Sequence, residues 1–171
     1  PKPVLSFTPV TTGACALQYT FNSTSSISAG SISTYTWNFG DNNTTFLQSP
    51  GHNYTTYGTY PVKFKAISDK GCRDSVTQNV TIYPFPNIAF SPPSNCINTI
   101  VQFTNTSSIP VGSITSYSWN LGNGVTSNLL NPTNSYSTTG PFTISLGATS
   151  DQGCVSSLTN TLGIFPPPVV S

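Results

Sequence analysis

The amino-acid sequence repeats itself, and this duplication constrains the fold more than any other feature. Sliding the 171 residues along themselves gives a dense match at an offset of 82. The match places FNSTSSISAGSISTYTWNFGDNNT, which starts at Phe21, over FTNTSSIPVGSITSYSWNLGNGVT, which starts at Phe103. It also places Trp37 on Trp119. The sequence therefore predicts two tandem copies of one module.

The pattern of the repeat predicts where each copy begins and ends. We expect the first copy at residues 1–84 and the second at residues 85–167. Residues 168–171 (Pro-Val-Val-Ser) resemble the opening of each copy, so we interpret them as the start of a following repeat. The chain is then expected to be an excerpt of a longer polypeptide. The Pro-rich junction at residues 83–86 predicts a semi-rigid linker.

Apolar residues alternate with polar ones within each copy. Tyr60, Val62, Phe64 and Ala66 fall on one face of a predicted strand, and the series at Leu17, Tyr19 and Phe21 has the same period of two; the second copy repeats the first pattern at Phe142, Ile144, Leu146 and Ala148. This period is typical of half-buried strands. Clusters of Gly, Asn, Ser and Pro separate the runs. Six or seven short strands around a central Trp predict an all-β, antiparallel sandwich.

Each copy carries two cysteines at matching positions. Four cysteines permit three pairings. The duplication favours one bridge within each copy, Cys15 with Cys72 and Cys96 with Cys154. Such bridges would stabilise a small core and are typical of oxidising, extracellular compartments. The alternative is four reduced, buried thiols in a cytosolic protein.

Composition and charge argue against several classes of function. The net charge is +1, and only 5% of residues are charged, which is unlike the basic surface that nucleic-acid binding requires. The apolar runs are too short for a transmembrane helix. The sequence therefore predicts neither a nucleic-acid partner nor a membrane span in this fragment.

Two sets of motifs carry a resemblance to a known family. The first copy has Trp37-Asn38-Phe39-Gly40-Asp41, then His52-Asn53-Tyr54 and Gly58-Thr59-Tyr60-Pro61-Val62; the second has Trp119-Asn120-Leu121-Gly122-Asn123, then Tyr136 and Gly140-Pro141-Phe142. These runs resemble the polycystic-kidney-disease (PKD) domain. The resemblance implies two tandem immunoglobulin-like β-sandwiches and a role as an extracellular spacer, adhesion or contact module.

The resemblance leads to a functional expectation. We expect a non-enzymatic repeat in a semi-rigid stalk or filament of a large bacterial surface protein. Its expected partners are neighbouring repeats of the same or like chains, and surface polysaccharide or another surface protein. The alternative is an accessory spacer or polymer-binding module of a secreted hydrolase. Neither reading calls for a cofactor, a metal or a catalytic residue.

The few chemically versatile side chains do not form a catalytic pattern. His52 is the only histidine and is replaced by Asn134 in the second copy, so we expect it to bond a loop. Asp41, with Asn42 and Asn43, is a candidate for a weak calcium site. The site is expected in the first copy alone, since Asn123 replaces Asp41 in the second.

Three further positions are singled out by residue type. Trp37 and Trp119 are predicted core residues, since they match mid-strand. Tyr57 is a candidate surface aromatic for glycan contact, although Thr139 replaces it in the second copy. The triplet Asp74-Ser75-Val76 resembles a bacterial O-glycosylation signal.

Overall fold

A computed structural model describes residues 1–168, and it contains strands and turns but no helix over that range. The chain forms two compact units, Pro1–Tyr83 and Pro84–Ser171. Most of the predicted start of a third repeat, residues 169–171, lies outside the described residues. Within residues 1–168, no helix is long and apolar enough to cross a membrane.

The first unit is built from seven strands. They are β1 (Phe7–Val10), β2 (Gln18–Ser23), β3 (Ile32–Asn38), β4 (Thr44–Thr45), β5 (Gly51–Asn53), β6 (Gly58–Ser68) and β7 (Arg73–Ile82). Strands β1-β2-β5 form one antiparallel sheet, and β4-β3-β6-β7 form the other. The long β6–β7 hairpin is the largest pairing in the unit, with ten residues of β6 opposite ten of β7.

The second unit repeats this plan with short interruptions. Its strands are β8 (Phe90–Ser91), β9 (Asn95–Cys96), β10 (Ile100–Gln102), β11 (Thr104–Asn105), β12 (Ile114–Asn120), β13 (Thr126–Ser127), β14 (Thr133–Ser135), β15 (Gly140–Ser150) and β16 (Val155–Phe165). The main sheet has the order β13-β12-β15-β16-β9, and its last pair is parallel. The opposing layer consists of the pairs β10-β14 and β11-β8.

Aromatic side chains join the two sheets of the first unit. The ring centroids of Phe7 and Phe21, from one sheet, lie 5.0 and 5.7 Å from that of Trp37 in the other. Trp37 is fully buried, and its indole N–H donates to the Leu47 carbonyl at 2.9 Å. The bond satisfies the polar atom of this side chain, so the ring can occupy the centre of an apolar core.

The second unit keeps the same central contact. Trp119 is 1% exposed and donates to the Leu129 carbonyl at 3.0 Å. The predicted core position of both tryptophans is therefore confirmed. The immunoglobulin-like all-β sandwich is confirmed with it.

The predicted inward faces are largely confirmed. In β6, Val62, Phe64 and Ala66 are buried while the lysines between them are exposed. Leu17 is a correction, because it is 41% exposed and precedes β2, which begins at Gln18. Its backbone carbonyl is still used, since it accepts from the Tyr54 N–H at 2.9 Å. The period of two thus continues in the sequence one residue beyond the start of the strand.

Two glycines in the second unit differ in how closely the neighbouring backbone approaches them. Gly122 and Gly124 lie in one turn with φ of +80° and +88°. A Cβ on Gly122 would come within 2.7 Å of the Thr143 carbonyl oxygen in β15, whereas one on Gly124 would meet nothing within 4 Å. Only the first position therefore combines a positive φ with close backbone contact.

We expect Gly122→Ala to lower the free energy of unfolding of the second unit far more than Gly124→Ala. Positive φ alone costs a side-chain-bearing residue about 1–2 kcal/mol, and the collision at Gly122 adds about 1–3 kcal/mol. The measurement is chemical denaturation followed by the Trp119 indole N–H signal in NMR spectra. Equal losses in the two variants would show that β15 yields to the added methyl group.

Candidate functional site

The motifs that begin at Trp37 and Trp119 each continue from a strand, β3 or β12, into a turn. Asn38 Oδ1 accepts from the Gly40 N–H at 2.9 Å, and Asn120 Oδ1 accepts from the Gly122 N–H at the same distance. An aspartate would accept this bond in the same way. Asparagine therefore preserves the turn while removing the carboxylate.

In the first unit this turn is joined to β5 by a polar pair. His52 Nε2 lies 2.7 Å from Asp41 Oδ2, and the two side chains are only 11% and 18% exposed. The imidazole stacks on Phe39 with ring centroids 4.0 Å apart and meets Tyr54 edge-on at 4.6 Å. The expectation that His52 bonds a loop is confirmed, and the loop is the turn after β3.

Asp41 is held in its ionised form by its hydrogen bonds. Partial burial raises the pKa of the carboxyl, but hydrogen bonds from His52 and Asn43 outweigh burial and bring the pKa below its ordinary value of 3.8. Asn43 donates to this carboxylate through both its backbone N–H and its side-chain amide, each at 3.1 Å. The carboxylate is therefore a structural acceptor that closes the turn.

The second unit keeps the geometry with neutral groups. Asn134 Nδ2 donates to Asn123 Oδ1 at 3.0 Å, and these residues match His52 and Asp41. The same connection between turn and strand is thus made without a titratable group. Substitution of both partners together was visible in the aligned copies and was the signal that could have predicted the contact.

A buried tyrosine completes each site, and its role was missed at the sequence level. The Tyr54 hydroxyl donates to the Phe39 carbonyl at 3.0 Å, and the Tyr136 hydroxyl donates to the Leu121 carbonyl at 2.6 Å. Burial is the main cause that raises the pKa of both hydroxyls. The only sequence signal was the position of each tyrosine two residues after His52 or Asn134.

The hydrogen bonds of Asp41 affect its availability as a ligand of the predicted weak calcium site. Both carboxylate oxygens accept hydrogen bonds from His52 or Asn43. Among residues 1–168, no three His, Cys, Asp or Glu side chains are grouped so as to hold a metal ion. A shallow, open depression beside His52 is lined chiefly by hydrogen-bonding groups, including Gln18, Asn43 and Thr44. The site can stabilise a loop, but it offers few anionic ligands.

Other singled-out positions lie apart from this site. Tyr57 is 47% exposed, in the loop before β6. Ser75 is exposed on β7, an edge strand, opposite Lys65. Its neighbour Asp74 accepts from the Ser75 N–H at 2.8 Å and pairs with Lys2 at 3.1 Å. Glycosylation of Ser75 and glycan contact at Tyr57 remain predictions.

The cysteines do not pair as expected. Cys15 and Cys154 are disulfide-bonded, whereas Cys72 and Cys96 are free thiols. The predicted bridges Cys15–Cys72 and Cys96–Cys154 would each need one of these free thiols. Both predictions are therefore wrong.

Strand length explains why a bridge within one repeat does not form. Cys154 immediately precedes β16, and Cys96 pairs with Phe165 at the end of that 11-residue strand. At about 3.3 Å per residue, this strand separates the two cysteines by roughly 35 Å. A disulfide requires Cα atoms within about 7 Å. In the first unit β7 separates Cys72 from Cys15 in the same way, since the Tyr83 N–H, just after β7, donates to the Ala14 carbonyl.

Alkylation before reduction tests this assignment. We expect iodoacetamide to label Cys72 and Cys96 in the folded chain, since both are half-buried thiols, and to label Cys15 and Cys154 only after reduction. Peptide mass mapping identifies the labelled sites. If Cys72, like Cys15, were labelled only after reduction, the predicted bridge within the first repeat would be correct after all.

The Asp41 carboxylate predicts a pH-dependent stability. A pKa lower in the folded state stabilises the fold above about pH 4, and this contribution is lost as pH falls through the folded value. We expect Asp41→Asn to lower the unfolding free energy of the first unit at pH 5 by about 1.5–3 kcal/mol, the value of a hydrogen bond to a charged group. The difference from the unmodified chain should shrink as the pH falls below about 4 and through the folded-state pKa of Asp41.

The Trp37 indole N–H signal, followed through denaturant, reports the first unit in this experiment. Asn123→Ala is the matched control, because it breaks the corresponding contact in the second unit without removing a carboxylate. Its effect should not depend on pH. A constant difference between Asp41→Asn and the unmodified chain across this range would contradict the role assigned to the carboxylate.

Comparison with known proteins agrees with the geometry. Residues 1–84 and 83–165 each match the PKD domain family. The chain is 30% identical over 138 residues to the pre-pro-metalloprotease PrtV of Vibrio cholerae serotype O1, a match that spans 80% of this chain and 15% of that protein. It is also similar to two solved domains.

One is the PKD1 domain of Vibrio anguillarum Epp, with 30% identity, a TM-score of 0.47 and coverage of 50% of this chain and 99% of that domain. The other is the PKD1 domain of the Vibrio cholerae metalloprotease PrtV, with 33% identity, a TM-score of 0.45 and coverage of 48% and 98%. The family match covers both repeats from end to end, and the chain belongs to the PKD domain family as a tandem pair of PKD domains.

Proposed function

We propose that this chain is a non-catalytic accessory spacer in a secreted, multidomain protein of the hydrolase class. The observation that carries the proposal is the replacement of His52 and Asp41 by Asn134 and Asn123 with the hydrogen bond retained. An acid–base function would be lost in that exchange, whereas a loop contact survives it. The site is therefore best explained by support of the fold.

The surroundings of His52 agree with a structural role. A histidine base in nucleophilic catalysis must reach a hydroxyl or thiol nucleophile while a third group orients it. Here Nε2 faces Asp41, while the ring stacks on Phe39 and meets Tyr54 at right angles. These contacts fix the imidazole between the two sheets, where it adds packing and one polar link.

Two observations support the secreted hydrolase context. The chain is similar to part of a pre-pro-metalloprotease, of which it spans 15%. It also contains disulfide-bonded cysteines, which persist in oxidising compartments such as the extracellular space. In such a protein, two PKD domains would hold a catalytic domain away from other modules or present it to a polymeric substrate.

Polymer contact by the first repeat would use its exposed aromatic residues. Tyr57 is 47% exposed and Phe46 is 71% exposed. Their counterparts in the second repeat are Thr139 and Asn128, which offer no ring. Aromatic rings stack on sugar rings and pack on apolar side chains, so contact through these two positions should be confined to the first repeat.

We expect the purified chain to hydrolyse neither casein nor soluble polysaccharides above the buffer rate. In co-sedimentation with insoluble glycans and collagen, binding that falls at least tenfold in Tyr57→Ala, but not in Thr139→Ala, would support polymer contact. Absence of binding to every polymer would limit the proposal to spacing. Hydrolysis that copurifies with the chain would overturn the non-catalytic assignment.

A second candidate is a structural stalk of a bacterial surface protein. It is favoured by the low charge of the second repeat, where Asp151 is the only charged side chain in residues 85–171. Modules with so little charge repel one another weakly, so association of like chains is permitted. Ordered fibres in electron micrographs of the concentrated chain would favour the stalk, and a strictly monomeric chain would favour the accessory spacer.

A further inference from the structure

The first unit exposes one face of its main sheet, and that face is positively charged. Lys63 and Lys65 of β6 are exposed and alternate with buried residues, so their side chains lie on the side opposite the core. Arg73 of β7 is exposed as well and pairs with Ile67, two residues beyond Lys65, which places it on the same side of the sheet. We call this side of the sheet, with its three cations, the cationic face.

The three cations form a row along β6. Residues two apart on a strand are separated by about 6.6–6.8 Å, and this is the spacing of Lys63 and Lys65. Ser75 is the residue opposite Lys65, so Arg73 is the diagonal neighbour of Lys65 on β7, at about 7–8 Å. A linear polymer with anionic groups at regular intervals can pair with all three cations at once, which a single small anion cannot do.

The carboxylates of the first unit leave this charge unbalanced. Asp41 is bonded within the turn after β3, and Asp69 lies against Gly30 in the loop before β3. Asp74 pairs with Lys2 at 3.1 Å. Over residues 1–83, no carboxylate forms an ion pair with the cationic face. The three cations therefore repel one another without a counter-charge, and the fold gains no electrostatic stability from them.

The second repeat shows that the fold does not require these cations. Ser145, Gly147 and Val155 occupy the matching positions on β15 and β16, in the same strand register. All five Lys and Arg residues of the chain lie in the first unit. A row of positive charge that one copy carries and the other omits is better explained by a binding partner than by packing.

The rest of the cationic face presents hydroxyl groups. A shallow depression on it is lined chiefly by Thr36, Lys65, Arg73 and Ser75; Asp74 also lines it, but its charge is already paired. Within residues 1–83, none of the large apolar side chains that are strongly exposed belongs to β3, β6 or β7. Protein interfaces generally have an apolar or aromatic centre, which this face lacks. Cations and hydroxyls together suit a sugar polymer that carries acidic groups.

We propose that the cationic face binds an anionic polysaccharide, whose carboxylate or sulfate groups pair with Lys63, Lys65 and Arg73. The guanidinium donates two parallel hydrogen bonds to such a group, and the lysines act as point charges. The neighbouring hydroxyls hydrogen-bond to the hydroxyls of the sugar. This inference rests on the polymer contact proposed above and names the class of polymer, but it uses residues other than Tyr57.

Binding of the full chain to soluble polymers tests the proposal. Polygalacturonate supplies carboxylates and dextran sulfate supplies sulfates, while uncharged dextran and poly-L-glutamate are the neutral and the acidic-polypeptide comparisons. We expect calorimetry to detect binding to an anionic polysaccharide at low ionic strength and none to dextran. The affinity should fall as salt is added, because salt screens exposed charges. The tighter of the two anionic polysaccharides identifies the preferred acidic group.

Variants locate the binding on the cationic face. Arg73→Val should weaken binding about two- to fivefold, as expected for one exposed ion pair, and the triple variant Lys63→Ser/Lys65→Ser/Arg73→Val about tenfold or more. Lys70→Gln is the matched control, because it removes one cation from the turn between β6 and β7 and introduces the residue of the second repeat, Gln152. We expect its effect on affinity to be less than about twofold, because Lys70 lies beyond both strands.

Transfer of the cations to the second repeat tests whether the row is sufficient. Ser145→Lys, Gly147→Lys and Val155→Arg, added to the triple variant, should restore most of the lost affinity. Gly147 can accept a side chain, since a Cβ there would come no closer than 3.7 Å to its neighbours. Circular dichroism and the indole N–H signals of Trp37 and Trp119 establish that each variant is folded.

Several outcomes would overturn the proposal. Equal weakening by Lys70→Gln and Arg73→Val would show attraction by net charge alone, and an affinity for poly-L-glutamate equal to that for the polysaccharides would show an acidic protein as the partner. Absence of binding to both anionic polysaccharides, or a transferred row that restores nothing, would refute it as well. The triple variant should keep any contact with uncharged polymers that depends on Tyr57, so failure of this inference is distinguishable from failure of the proposed function.

Discussion

The long antiparallel hairpin of each unit, β6–β7 in the first and β15–β16 in the second, is the element on which the other features of the repeat depend. Its pairing extends over ten residues in both units, and its inward residues form much of the core. The first strand of the hairpin also pairs with the tryptophan-bearing strand. Because the hairpin runs the length of the repeat, it also sets the distance between the two cysteines.

The two repeats have different core side chains on the same strand framework. The first unit packs Phe39 and Phe64 where the second packs Leu121 and Leu146, and all four side chains are buried. Aromatic area is lost in the second unit, yet the tryptophan and the hydrogen bond of its indole are kept. Cores accept changes of shape when the volume and pattern are roughly maintained, whereas an unpaired buried N–H is costly. The backbone-directed bonds are therefore the stricter requirement.

Much of the fold could be predicted because it follows from local rules. Alternation along β6 and β15 reflects the two-residue period of the strand, and clusters of Gly, Asn, Ser and Pro mark the breaks between strands. The disulfide bonds could not be predicted, because sequence separation does not report spatial distance, and one long strand, β7 or β16, spans the distance between the two cysteines of a repeat. The contact of His52 with Asp41 left a signal in the sequence, since both residues change together in the second copy, but neither position shows that signal when taken singly.

The cysteine arrangement alters what stabilises each repeat. A bridge between Cys15 and Cys72 would have restricted the unfolded chain and lowered the demand on the core. With Cys72 and Cys96 free, the fold of each repeat depends on its apolar contacts and buried hydrogen bonds. The rings around Trp37 and the Tyr54–Phe39 and Tyr136–Leu121 bonds become the main constraints on the sandwich.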